Sequence, residues 1–127
     1  MIRADFAQCL SKLKCDVLLI FGKDDPWCKP ALAKKMLIAL ETREPKKVQR
    51  YVELENVGHC PNHEAPQAVS RVVSAWVEAD NRDENNLQLA NAQGEVLIEP
   101  WGEIVMKELK KEEIQLSMID KITAYLV

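Results

Sequence analysis

The apolar positions of the first eighty residues change period four times along the chain. Phe6, Leu10 and Leu13 recur at helical spacing and predict a helix ending near Lys14. Asp16 then opens an unbroken apolar run, Val17 to Phe21, stopped by Gly22. A short aliphatic and aromatic run between turn residues predicts a strand buried on both faces, the habit of parallel sheets. After the loop Lys23 to Lys29, Pro30 is suited to the first turn of a helix whose stripe is Leu32, Met36, Leu37 and Leu40. Val48, Arg50, Val52 and Leu54 alternate and predict a second strand. A loop over Glu55 to Glu64 leads to Pro66 and an amphipathic helix on Val69, Val72, Val73, Trp76 and Val77. Helix, strand, helix, strand, helix is the order of an α/β unit with a parallel strand pair.

The run Asp80 to Asn86 holds no apolar residue and divides the chain as a linker, with the unit of residues 1–80 before residues 81–86. Beyond it the pattern is different. Val96-Leu97-Ile98 and Ile104-Val105-Met106 predict two short strands joined across Pro100-Trp101-Gly102. Lys110 to Leu126 then carries Ile114, Met118, Ile119, Ile122 and Leu126 at helical spacing. Residues 87–127 are therefore expected to form a small α+β tail, for which the sequence assigns no role.

Charge sharpens this division. The net charge is −3, yet residues 1–80 hold 12 Lys+Arg against 11 Asp+Glu and residues 81–127 hold 5 against 9, so the tail is the acidic part. No basic patch marks a nucleic-acid surface, and no apolar run approaches the length of a membrane span. The composition, 47% apolar and 29% charged, is that of a soluble globular protein, expected to be intracellular. Met1 to Phe6 has the features of neither a signal peptide nor a transit peptide. Cys9, Cys15, Cys28 and Cys60 are irregularly spaced and are expected as reduced thiols.

Candidate chemistry lies in the two loops that follow the predicted strands, where open α/β sheets place their functional groups. The first is Gly22-Lys23-Asp24-Asp25-Pro26-Trp27; the second runs from Asn56 through Gly58-His59-Cys60-Pro61 to Glu64-Ala65-Pro66. An acid at one strand end and an imidazole at the next can meet across the sheet top. A carboxylate bonded to one ring nitrogen fixes the tautomer and leaves the other nitrogen free as a base.

A strand, Gly-x-x-Asp-Pro-Trp, a helix, a strand and Gly-His-x-Pro-x-x-Glu-x-Pro together resemble the carboxyl-terminal end of the α/β-hydrolase fold. The likeness is strongest to its plant and cyanobacterial epoxide-hydrolase-like and chlorophyll-metabolism-like branch, and it covers about residues 3–79. In that family the triad runs nucleophile, acid, histidine along the chain. The resemblance implies that Asp25 is the acid and His59 the base, with Asp24 the rival acid. Their separation, 59 − 25 = 34 residues, accommodates a helix and a strand. The implied fold class is α/β: a C-terminal fragment of an α/β-hydrolase sheet, two parallel strands with flanking helices, plus the small α+β tail.

The departure from the pattern is as informative as the match. None of Ser11, Ser70, Ser74 and Ser117 sits in Gly-x-Ser-x-Gly, and only 24 residues precede Asp25. The expectation is a truncated hydrolase segment, inactive alone, whose full-length parent, in the chloroplast or elsewhere in the cell, cleaves a small-molecule ester or related bond. Its bare strand edge is expected to self-associate or to need a missing amino-terminal part. The competing classes are a non-enzymatic interaction module and a nonfunctional gene remnant. Plainer readings stand beside each residue: Asp25 as a turn acid or helix cap, His59 and His63 as surface polar groups, Cys28 and Cys60 as small loop hydrophobes. Trp76 is assigned to the core, and Trp27 to a pocket rim or a loop seal. His59, Cys60 and His63 lack the paired ligands of a structural zinc site, so neither a metal nor a cofactor is expected.

Overall fold

The computed structural model describes residues 4–83 and 86–114, with the backbone alone for residues 4–6. Its elements run α1 (Ala4–Ser11), β1 (Val17–Gly22), α2 (Pro30–Glu41), β2 (Gln49–Glu55), α3 (Pro61–Glu64), α4 (Pro66–Glu78), β3 (Glu95–Glu99) and β4 (Gly102–Leu109). The fold is α/β. Among the described residues one mixed four-stranded sheet forms, in the order β1-β2-β4-β3. β1 and β2 are parallel, from Val17 opposite Gln49 to Gly22 opposite Leu54, with α2 as the crossover. β4 runs antiparallel to β2, Leu54 facing Met106, and β3 closes a hairpin on β4. Residues 87–127, set apart as a tail by their pattern, thus contribute two strands to the same sheet.

Side chains alternate across β2 and build a core on each face. Val52 and Leu54 point to the α4 side, joined by Val57, Val72, Trp76, Leu89, Ile104 and Met106. Tyr51 points to the α2 side with Leu19, Leu37, Leu40 and Ile114. β2 is buried through its length because a strand lies on either side of it and helices cover both faces. β1, predicted to be buried on both faces, lies at the sheet edge, and only Leu19 and Gly22 are fully buried. α4 turns Ala68, Val72 and Trp76 inward, while Val73 and Val77, 40% and 63% exposed, face out. A stripe five residues wide exceeds what one sheet face can cover. α1 stops at Ser11, whose hydroxyl donates back to the Gln8 carbonyl (2.7 Å), earlier than the predicted Lys14. The helix predicted over Lys110 to Leu126 begins at 111–114; its remainder lies outside the described residues.

Three polar anchors tie these parts together, two of them between residues distant in sequence. Arg43 is buried and makes no ion pair among the described residues: it donates to the carbonyls of Leu40, Leu13 and Cys15 and to Gln49 Oε1. Glu99 accepts from the backbone N–H groups of Gln67 and Ala68 at 3.2 and 2.9 Å, placing a buried carboxylate at the positive end of α4. Arg82, within the predicted linker, donates to the Trp76 carbonyl and lies 4.9 Å over that ring.

Candidate functional site

The carboxyl ends of β1 and β2 are drawn together before any functional side chain enters. Gly22 closes β1 against the next loop so tightly that a Cβ there would meet the Gly58 oxygen at 2.1 Å. Only glycine permits that approach. The Lys23 N–H then donates to the Leu54 carbonyl and the Asp24 N–H to the Val57 carbonyl, both at 2.9 Å. Asn56, with φ 66, turns the chain out of β2. The loop that follows is folded around Glu64, whose carboxylate accepts from Gly58 N–H at 2.9 Å and Cys60 N–H at 3.0 Å. Pro61 opens α3, a short helix within the segment expected to be a loop. The Gly-His-x-Pro-x-x-Glu spacing thus has a local cause: the glutamate holds the backbone on both sides of the histidine.

Asp25 and His59 meet across this junction. Asp25 Oδ2 and His59 Nδ1 are 2.9 Å apart, while Asp25 Oδ1 accepts from the N–H groups of Trp27 (2.8 Å) and Cys28 (2.9 Å). One carboxylate oxygen is therefore spent on its own loop and the other on the ring. Asp25 is 6% exposed. Burial is the largest single influence on it and pushes its carboxyl up. The Cys28 N–H, the His59 ring and the Trp27 N–H together outweigh burial and hold it below the usual carboxylate range. His59 keeps 46% of its side chain in solvent. The Trp27 indole stands edge-on to its ring, centroids 4.9 Å apart, and is itself 75% exposed. With Nδ1 committed to the acid, Nε2 remains for chemistry.

The other sequence candidates fall elsewhere. Asp24 is exposed, and Asp25 takes the histidine. His63 stands edge-on to Trp101 at 4.9 Å. All four cysteines are free thiols. Among the described residues the one group of three metal-capable donors is Asp25, Cys28 and His59, whose ligand atoms lie within 4.8 Å of one another. Cys28 had no signal in the sequence beyond its position three residues after the acid. Arg50 and Glu108 were likewise missed; they form a buried ion pair at the opposite end of the sheet, where a cavity of about 340 Å³ adjoins them.

The chain is similar to a chloroplastic pheophytinase of Arabidopsis thaliana, 29% identical over 76 residues. The match takes in 58% of this chain but only 14% of the relative's length. That similarity supports a hydrolase-like relationship. No family model matches the chain, and no solved structure matches it.

Proposed function

We propose that these residues are the carboxyl-terminal segment of a serine-type α/β-hydrolase and supply the acid and the histidine of its triad. The observation that carries the reading is the 2.9 Å contact between His59 Nδ1 and Asp25 Oδ2, at the ends of adjacent parallel strands. In the working enzyme Asp25 holds the proton on Nδ1 and stabilises the imidazolium, and Nε2 takes the proton from a serine or a water. The nucleophile is not in these residues, since no Gly-x-Ser-x-Gly occurs among them. They hold no turnover by themselves. The substrate is a small molecule with an ester or related bond, and the likeness to a chloroplastic enzyme points the parent protein to that organelle. The unpaired edge of β1 takes a strand of the same fold from outside these residues, or a second copy.

A chimera tests this. The matched segment of the Arabidopsis pheophytinase is replaced by the corresponding residues of this chain, and hydrolysis of an activated ester is followed. The chimera is expected to retain turnover and to lose it by about 10⁴-fold with Asp25→Asn, the scale of tautomer loss in such triads. Turnover indifferent to His59→Ala would overturn the reading, as would hydrolysis by residues 1–127 alone that disappears in that variant.

A further inference from the structure

We infer that Asp25, Cys28 and His59 form a binding site for a single zinc-class divalent ion. Three donors of different chemistry, a carboxylate oxygen, a thiol sulfur and an imidazole nitrogen, lie within 4.8 Å of one another. In a tetrahedral zinc site with bonds of about 2.0–2.3 Å, ligand atoms sit about 3.3–3.6 Å apart. From the 4.8 Å limit the required closure is about 1.2–1.5 Å, within the reach of side-chain rotation. Charge also fits: carboxylate and thiolate together supply two negative charges to a dication, while on binding Cys28 gives up its thiol proton to solvent and the His59 Nδ1 proton passes through solvent to Nε2. A sulfur donor with a nitrogen donor favours zinc over calcium or magnesium, which take oxygen.

The surroundings of the donors strengthen the assignment. Asp25 Oδ1 is held by the N–H groups of Trp27 and Cys28, which fixes Cys28 at the far end of the same turn and leaves Oδ2 as the ligand, the ion replacing its hydrogen bond with His59 Nδ1. The Trp27 ring packs against His59 in a T-shaped pair, centroids 4.9 Å apart. Three protein ligands leave a fourth position open, and the 46% exposure of His59 gives an ion access from solvent. On the hydrolase reading, occupancy withdraws His59 from use as a base, so zinc acts there as an inhibitor. The binding itself is independent of that reading.

Cobalt(II) titration of residues 1–127, with no substrate present, reads the site directly. The expected result is a thiolate-to-cobalt charge-transfer band in the near ultraviolet that saturates at one ion per chain and is displaced by zinc. Cys28→Ser should abolish the band. His59→Ala should weaken binding at least about 100-fold, since losing even an outer-shell partner costs 10–100-fold. Cys60→Ser should leave both intact, because the exposed Cys60 lies outside the donor group. Circular dichroism of each variant confirms that it folds. No band, a band that survives Cys28→Ser, or one that depends on Cys60 instead would overturn the assignment. None of these outcomes bears on the ester-hydrolysis test of the dyad, so the two ideas fail separately.

Discussion

The two ends of the sheet each carry an acid–base pair, and they are built to opposite specifications. At one end Arg50 and Glu108 are both buried, with side chains 2% and 8% exposed, and bonded through two guanidinium nitrogens. At the other end Asp25 is buried but His59 is 46% exposed. The first pair has both charged ends committed to each other across neighbouring strands, and only Arg50 Nη1 is left without a partner among the described residues. The second pair leaves one ring nitrogen in the open. A closed pair holds strands together; a half-open pair can move a proton. Position agrees, because the half-open pair stands beyond the carboxyl ends of the parallel strands.

Breaking the closed pair gives the largest effect. Arg50→Met leaves the Glu108 carboxylate buried and alone, and should cost about 3–5 kcal/mol in urea unfolding. Adding Glu108→Leu should return most of that loss, since a matched apolar pair is often as stable as a buried ion pair. A single variant no worse than the double would show that the pair is not closed as described.

A second buried carboxylate refines the contrast at the open end. Glu99 spends both oxygens on the N–H groups of Gln67 and Ala68, so it is structural. Glu99→Ala should destabilise by about 1–2 kcal/mol through the lost helix cap, again read by urea unfolding. In the chimera it should lower stability without changing the pH profile of turnover.

The dyad itself should contribute least to stability. The Asp25 pKa is depressed in the fold, so its stabilising contribution is fully present above its ordinary value of 3.8 and is lost as pH falls through the lower folded value. Asp25→Asn should therefore lower stability modestly through the neutral region, where the contribution is full, and flatten the acid limb of the stability–pH curve below about pH 4. His59→Ala, at an exposed ring, should fall within about 0.5 kcal/mol of the parent chain. A large loss there would make the histidine a structural group and remove the contrast.

The open end was legible in the sequence and the closed end was not, for one physical reason. Asp25 and His59 sit in short loops whose glycines, prolines and flanking strands are all local, so their meeting follows from a parallel pair. Local hydrogen bonds of Asp25 Oδ1 and of Glu64 explain why those motifs have their spacing. Arg50 and Glu108 are 58 positions apart and meet only because β4 lies antiparallel beside β2. Nothing in the period of Ile104, Val105 and Met106 states which strand they will join. Arg43, just past the end of α2, carries no sequence signal for the carbonyls of three separate segments that enclose it. Burial of β1 was overstated because an apolar run reports what a strand tolerates, whereas its burial depends on neighbours on both edges.

The orientation of His59 by Asp25 is tested most directly by the ring ¹⁵N resonances of His59 at a pH where the imidazole is neutral. The account predicts the proton on Nδ1, donated to Asp25, and a bare Nε2, with this preference lost in Asp25→Asn. A proton resident on Nε2, or a tautomer unchanged by Asp25→Asn, would contradict it.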